Sequence, residues 1–516
     1  MKTADDLFKE FKILSVSEFF KKNADMLGYM GKLRSMTVLV HETVTNALDA
    51  CEEANILPKI RVEIERKGNS HYLISVEDNA TGIPLKFIPK VFGKMLAGSK
   101  AHRNIQSRGQ QGIGVSGAVM YSQVTTGQPA TIISSTGKEA WKVKMNVDVQ
   151  KNRGKILEKE KIEKINEWRG TKIIIEAKDV RYNRSRYSPC HYLKMSSIAN
   201  PHMEIEFIEP DGRKIIFPRT SKEIPESPRI MKLHPKGFST NELLLMAKNS
   251  KSRKLRSFLR SKLARVSRNK TKKIEEISGV SMNKKTKNLK WEDAEKIVDA
   301  FKKIDFMAPS SDGLIPIGEE NIEKGISLIN PEFTTAVTRS PKTYKGGFPF
   351  IVEIGLAYGG KSEPGIELIR YANRSPLIFD RGGGAINEAV KSIDWKRYGV
   401  NTDKTPLTVF VNVTSTHIPY TSAGKQAIAM EEEIYDETRY GIMEACRHLK
   451  RFLSSKRKAY RRKRRKKSLT RYALETSRAL SKLTGEEIDT VKNFFVKIID
   501  KKYSEEDHDK NREKTN

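Results

Sequence analysis

Glu42 and Asn46 lie four residues apart in the segment Glu42-Thr-Val-Thr-Asn46-Ala-Leu-Asp49. On a helix this spacing puts a carboxylate and a carboxamide on one face. The carboxylate can take a proton from a water attacking a phosphate. The carboxamide offers a neutral oxygen to a magnesium ion that keeps several of its waters. The pair taken alone reads equally as an exposed polar stripe. Asp78, in Asp78-Asn-Ala-Thr-Gly82, stands at the end of an expected strand. There it can accept from an adenine amino group, or simply form a turn, since Asp-Asn followed by Gly is common turn chemistry. Arg108-Gly-Gln-Gln-Gly-Ile-Gly114 is a glycine-rich loop ahead of an expected helix. Gly109, Gly112 and Gly114 let backbone N–H groups approach phosphate oxygens, and the helix N-terminus adds positive potential. Thr171 opens a strand-like run, where it can bond a water shared with Asp78 or be a plain β-branched strand residue. Each motif is weak by itself. In this order they supply a base, a metal ligand, a nucleobase anchor and a phosphate cradle, the parts of an ATP hydrolase.

The elements that must position these groups follow from periodicity. Val38, Leu39, Val44 and Leu48 give a strong helix over 34–55. Residues 60–64 and 72–76 alternate as strands, and further strands at about 131–148 and 171–177 close a sheet. Val115 to Tyr121 continues the glycine-rich loop as a helix. Residues 1–30 read as an amphipathic helical strap or arm, with Phe8, Phe11, Phe19 and Phe20 on it. The expectation is a mixed α/β sandwich to about residue 225. Residues 228–306 change character and read as helical and basic, with Ser239 or Thr240 as a cap, Gly279 as a break and a helix over Trp291 to Lys303. After the turn Pro309-Ser-Ser-Asp-Gly313, strands recur at 348–358, 366–371 and 406–413. A very long helix is expected from near Lys425 into the basic tail.

At 516 residues the chain has room for about three domains. No apolar run approaches the ~20 residues that span a bilayer, and the first 30 residues hold no apolar signal core. The three cysteines, Cys51, Cys190 and Cys446, lack metal-site spacing and suit a reducing cytosol. Lysine and arginine number 96 against 63 acids, a net charge of +33. The excess is clustered: twelve basic residues and no acid from Lys248 to Lys273, and ten in twelve from Lys456 to Lys467. A solvated helix face or an uncollapsed tail would also accommodate such runs. Clustering and the absence of an aromatic ladder point to contact with nucleic-acid phosphates rather than base reading.

A second nucleotide motif competes. Gly355-Leu-Ala-Tyr-Gly-Gly360-Lys361-Ser362 fits the P-loop pattern letter for letter. A P-loop needs a helix directly after the Lys-Ser pair, and here Glu363-Pro364-Gly365 and a strand-like run follow. The segment is expected to be a hairpin turn.

The order of the three motifs is similar to that of the GHKL superfamily of gyrase-type topoisomerases, a heat-shock chaperone, histidine kinases and mismatch-repair ATPases. Further segments narrow the resemblance: Ser17-Glu-Phe-Phe-Lys-Lys-Asn23, Val91-Phe-Gly93, Gly98-Ser-Lys100, Met120-Tyr-Ser-Gln123, Arg339-Ser-Pro-Lys342, Gly346-Gly-Phe-Pro-Phe350, Tyr371-Ala-Asn-Arg374 and His417-Ile-Pro-Tyr-Thr-Ser-Ala-Gly-Lys425-Gln. Over about residues 15–450 the chain resembles the B subunits of DNA topoisomerase VI, the archaeal type IIB enzymes.

The resemblance implies an α/β (α+β) architecture in four parts. A GHKL ATPase sandwich with its strap spans 1–227, and a helix–two-turns–helix domain spans 228–306. A ribosomal-protein-like βαβ transducer follows at 307–450, and a basic helical tail at 451–516. It implies ATP and Mg²⁺ as ligands, Glu42 as general base, Asn46 as the magnesium ligand, and Asp78 and Gly82 at the adenine turn. Ser99 and Lys100 match nucleotide-contacting lid positions. Arg108, Gly109, Gln110, Gln111, Gly112, Ile113, Gly114 and Val115 match the phosphate loop, with Thr171 nearby. Lys425 matches a transducer lysine that reaches the γ-phosphate, and from sequence it sits after an Ala-Gly turn at a helix start. The implied partners are an A subunit carrying the DNA-cleaving tyrosine, a second copy of the B chain on ATP binding, and double-stranded DNA, with no membrane and a cytoplasmic, nucleoid-associated location. Two rivals remain open: another GHKL ATPase acting on DNA, of mismatch-repair type, and a DNA-binding scaffold with a degenerate ATP site. Two departures stand out. Ala80 replaces a glycine of the family's Asp-Asn-Gly-Pro-Gly, and the tail past about residue 450 does not map onto the family's motifs.

Overall fold

The computed structural model describes residues 28–95, 104–109, 114–148, 151–163, 168–345, 347–360, 363–379, 382–421 and 427–512. Residues 1–27 of the expected N-terminal strap, Ser99, Lys100, Gln110, Gln111, Gly112, Ile113, Lys361, Ser362 and Lys425 lie outside the described residues.

Helix α1, Lys32–Glu53, is the spine of the first lobe. Its apolar residues Met36, Leu39, Val40, Val44, Leu48 and Cys51 are buried. The run Thr43-Val44-Thr45 is a poor helix former, yet it lies in the core, and the Thr43 hydroxyl donates to the Leu39 carbonyl at 2.8 Å. Packing therefore overrides propensity. The sheet under α1 comprises β1 (Lys59–Gly68), β2 (His71–Glu77), β3 (Ala130–Ser135), β4 (Ala140–Asp148), β5 (Arg153–Lys161), β6 (Gly170–Lys178), β7 (Glu204–Ile208) and β8 (Lys214–Phe217). Its order is β5-β4-β3-β6-β2-β1-β7-β8. All neighbours are antiparallel except β1 and β7, which run parallel. Helices α2 (Ile88–Gly93), α3 (Gly114–Thr126) and α4 (Pro189–Ala199) complete the lobe, and one apolar cluster from Tyr29 to Phe207 fills it.

A second cluster joins Phe238 to Phe306 around α5 (Thr240–Lys248), α6 (Leu255–Lys262), α7 (Arg268–Ser278) and α8 (Trp291–Lys303). The expected signals hold here: Ser239 caps α5 in a reciprocal capping box with Glu242, and Gly279 ends α7 in the left-handed conformation.

The third cluster packs α9 (Glu319–Ile326) on a sheet of β9 (Phe333–Thr338), β10 (Lys342–Tyr344), β11 (Phe348–Tyr358), β12 (Gly365–Ala372), β13 (Ser375–Pro376) and β14 (Pro406–Ser415), with α10 (Ala385–Lys391) inserted before β14. Met195, Ile198 and Ala199 of α4 belong to this same cluster. The hairpin reading of the P-loop-like segment is corrected. β11 pairs with β14 antiparallel and β12 pairs with β14 parallel, so both flank β14 and are not bonded to each other. The reason is burial: β14 is buried at every position but its first, and it takes the centre of the sheet.

The long helix α11, Glu432–Thr484, runs well past residue 450. Its expected start near Lys425 is corrected. Thr421 N–H donates to the Ala427 carbonyl at 2.9 Å, and Tyr420 bridges Ile428. Backbone groups spent on this fold-back cannot start a helix, so α11 begins at Glu432 and Lys425 does not head it. A separate unit comprises 395–400 and 446–516. Within it Lys466 of α11 pairs with Asp500 of α12 (Ile488–Arg512) at 2.7 Å, and Arg457 donates to the Gly399 carbonyl at 2.7 Å. Among the described residues no helix is long and apolar enough to cross a membrane.

The turn that carries Asp78 is sterically fixed. Gly82 has φ of 72°, and a Cβ there would lie 2.0 Å from the Ser135 carbonyl oxygen. Ala80 is buried without left-handed backbone, so its departure from glycine is accommodated. Gly82→Ala should therefore lower thermal stability, by at least the roughly 1–2 kcal/mol of a left-handed alanine. Ala80→Gly should change it by no more than about 1 kcal/mol. Thermal melting of the two variants against the parent checks both values.

Candidate active site

The Glu42 side chain comes off α1 and reaches the first residue of α3. A Cβ on Gly114 would lie 1.8 Å from Glu42 Oε2, so only glycine admits the carboxylate. A carboxylate at a helix N-terminus is also favoured by the helix dipole. Glu42 Oε1 lies 3.2 Å from His41 Nδ1. One turn on, Asn46 is exposed, and its Nδ2 donates to the Glu42 carbonyl at 2.5 Å. That bond uses Nδ2 and leaves the accepting Oδ1 on an exposed side chain. Val115 follows Gly114 into α3 and packs on the lobe core.

Asp78 and Thr171 are brought together. Asp78 Oδ1 accepts from Thr171 N at 3.0 Å and from Ala80 N at 2.9 Å, while Asp78 N donates to the Thr171 carbonyl at 2.9 Å. Asn79 ties the turn down, its Oδ1 accepting from Lys59 N at 2.8 Å and its Nδ2 donating to the Leu57 carbonyl at 3.1 Å. Burial pushes the Asp78 carboxyl up to about 6, against the pull of those two backbone N–H groups.

Arg108 is engaged by protein through both terminal nitrogens. Its Nη1 donates to Asp49 Oδ1 at 2.6 Å and to Glu52 Oε2 at 2.8 Å, and its Nη2 to Glu52 Oε1 and Asn200 Oδ1, both at 2.7 Å. Its guanidinium thus faces α1 and α4. Burial alone would raise the Glu52 carboxyl, but the Arg108 charge, the bond from His202 and Arg374 hold it well below the ordinary range. Arg374, in the turn between β12 and β13, donates through Nη2 to the carbonyls of Ile315 and Pro316 at 3.2 Å. Its neighbour Asn373 donates to the Ser107 carbonyl at 3.0 Å, and Gln106 exchanges two bonds with the Ile315 backbone at 2.7 and 3.1 Å. The sequence reading did not place Glu52, Gln106, Asn200, His202 or Asn373 at the site. The segment Tyr371-Ala-Asn-Arg374 was the one available signal, because a polar pair ending a buried strand needs buried partners. Gly109 ends the described stem of the loop.

Two family profiles match separate stretches of the chain. The family profile of histidine kinase-, DNA gyrase B- and HSP90-like ATPases matches residues 31–175. That of the topoisomerase VI B subunit transducer matches residues 309–466. The B subunit of type 2 DNA topoisomerase 6 from Pyrococcus horikoshii is 50% identical over an alignment covering 98% of each chain. The corresponding protein from Thermococcus sibiricus is 52% identical with 97% of each covered. The chain belongs to the family of type 2 DNA topoisomerase 6 B subunits. The fold is accordingly a GHKL ATPase joined to a transducer. A family member from Methanothermobacter thermautotrophicus is 49% identical over 88% of this chain and 89% of its own. The alignment to the Pyrococcus relative takes in most of the basic tail, which no sequence motif mapped onto the family.

The raised Asp78 carboxyl gives a pH signature. Above pH about 6 it is ionised and can accept from an amino group; below it the acceptor is lost. Adenine-nucleotide affinity should therefore weaken as pH falls through about 6. The folding contribution has the opposite sign: a carboxyl raised above its unfolded value of about 3.9 costs stability when ionised, and that cost is relieved on acidification. Asp78→Asn should bind nucleotide weakly and lose this pH dependence, as calorimetric titration with ATP between pH 5 and 8 would show.

Proposed function

We propose that this chain is the ATP-binding and ATP-hydrolysing B subunit of a type II DNA topoisomerase. ATP-driven dimerisation would gate one DNA duplex through a break made by a separate A subunit. The observation that carries the reading is the Glu42 carboxylate seated against Gly114 at the start of α3, on a chain about half identical to B subunits over nearly its full length. Glu42 takes the proton of the attacking water, and the helix N-terminus behind it stabilises charge on the phosphates. Asp78, with Gly82 and Thr171, holds the adenine. Arg108 shapes the loop from behind, so that Gly109, Gln110, Gln111, Gly112, Ile113 and Gly114 meet the phosphates through backbone N–H groups.

Asn46 Oδ1 suits Mg²⁺, a hard cation that prefers oxygen and keeps several waters. Among the described residues no group of three or more His, Cys, Asp or Glu could form an alternative cage. When bound with the nucleotide, the ion supplies charge neutralisation at the phosphates. Ser99, Lys100 and Lys425 complete the site as lid and transducer contacts.

The domain division 1–227, 228–306, 307–450 and 451–516 is supported by three separate apolar clusters, with α4 shared between the first lobe and the transducer. The implied partners are an A subunit, a second copy of this chain, and double-stranded DNA bound through the clusters at Lys248 to Lys273 and Lys456 to Lys467, in the cytoplasm. The transducer match disfavours a mismatch-repair ATPase, and Glu42 with Asn46 in place disfavours a degenerate site.

Glu42→Ala should reduce hydrolysis by about 10²–10⁴-fold while ATP binding persists. Turnover near the parent rate would remove Glu42 from its role. DNA binding should be nearly sequence-independent and fall steeply with salt, each neutralised phosphate adding roughly −0.9 to the log–log slope. Fluorescence anisotropy with two unrelated duplexes at several salt concentrations measures it; a flat slope would exclude the basic clusters as the contact.

A further inference from the structure

Adjacent residues on a helix do not face each other, yet His41 Nδ1 lies 3.2 Å from Glu42 Oε1. Something holds the ring back against its neighbour. Tyr192 of α4 packs edge-on, with ring centroids 5.1 Å apart at 78°. Tyr192 is itself placed by Thr45, whose hydroxyl lies 3.3 Å from the tyrosine oxygen. On the far side, His41 Nε2 lies 3.2 Å from the Ser375 hydroxyl. Ser375 is a buried residue of β13, in the transducer sheet. Its segment Asn373-Arg374-Ser375 leaves β12 with φ of 50° and 65° at the first two residues. Asn412 Oδ1 accepts from Arg374 N at 3.1 Å, and Asn373 bonds the backbone of Ser415 at 2.9 Å in both directions. The hydroxyl is thus fixed to the transducer, while the ring it touches is fixed to the general base.

A neutral imidazole has one donor and one acceptor nitrogen, and the partner of one decides the state of the other. A carboxylate oxygen only accepts, so Nδ1 must carry the proton to bond Glu42. Nε2 must then accept, and Ser375 supplies the hydroxyl that donates to it. We propose that His41 is a positioning residue for Glu42, and that the transducer hydroxyl of Ser375, by donating to Nε2, holds the ring in the tautomer the carboxylate requires. The proposal rests on Glu42 being the general base. With Oε1 held by His41 and Oε2 seated over Gly114, the carboxylate has one orientation towards the loop. A shift of β13 would loosen that orientation directly, through the Ser375 hydroxyl. Hydrolysis is therefore tied to the transducer's position through the side chains Ser375, His41 and Glu42.

The test uses the full chain and separates positioning from packing. His41→Asn keeps an amide N–H near the place of Nδ1 but cannot reach Ser375. His41→Gln places its amide near Nε2 and loses the Nδ1 donor. His41→Gln should lower ATPase kcat by about tenfold or more, the low end for partners that orient a reacting group. Its KM and its ATP affinity by titration should stay within about twofold of the parent, as expected when no uniform binding is removed. His41→Asn should recover most of kcat. Ser375→Ala should lower kcat several-fold in the parent background and have no effect in the His41→Asn background. Parent-level kcat in His41→Gln, equal losses in the Asn and Gln variants, or an equal Ser375→Ala loss in both backgrounds would each overturn the proposal. Glu42→Ala is the control. If it leaves hydrolysis intact, the base assignment itself has failed; if it abolishes hydrolysis while the His41 variants are unaffected, only this inference falls.

Discussion

Arg108 keeps its charge at any pH the protein meets, and it is buried, so the fold around it must supply carboxylates. Asp49 and Glu52 of α1 do so from one side and Asn200 at the end of α4 adds a neutral acceptor from another. Burial alone would lower the guanidinium's affinity for the proton, but the two carboxylates raise it above the ordinary value. Removing one partner from such a pair typically costs about 3–5 kcal/mol, because the other charge stays buried and uncompensated. The stem of the phosphate loop is therefore pinned to the helix that carries Glu42 and Asn46.

The same cluster reaches the transducer. Arg374 shares Glu52 with Arg108, its Nη1 lying 3.9 Å from Glu52 Oε1. Asn373 holds the Ser107 carbonyl, and Gln106 is bonded to Ile315 in both directions. Tyr371 donates to the Met195 carbonyl of α4 at 2.9 Å. Buried polar contacts of this kind have few alternative arrangements, because each broken bond leaves a desolvated group. A displacement of β12 and β13 is thus felt at the loop stem and at α1. This is the physical basis for expecting nucleotide state and transducer position to depend on each other.

Local signals in the sequence were sufficient for much of this. The period of α1, the cap at Ser239, the stop at Gly279 and the helix over Trp291 to Lys303 depend on contacts within one element, and the structure matches them. Asp78 and Thr171 meet as expected because a strand end and a neighbouring strand start must be close. What the sequence did not disclose depends on tertiary pairing. The central place of β14 is decided by burial against two distant strands, which made the segment after β11 look like a hairpin. The start of α11 is decided by a backbone fold-back between Pro419 and Ala429, which no side-chain pattern records. Arg108 was read as part of the phosphate loop, and its guanidinium faces carboxylates that its own segment cannot indicate.

The central claim is that this ATP site drives passage of one duplex through another by way of the transducer. The most direct measurement is relaxation of a supercoiled plasmid by the full chain purified together with an A subunit of its family. Relaxation should proceed in changes of two in linking number and depend on this chain and on ATP with magnesium. Relaxation that proceeds without ATP, or in single steps, or ATP hydrolysis by the pair with no change in linking number, would contradict it.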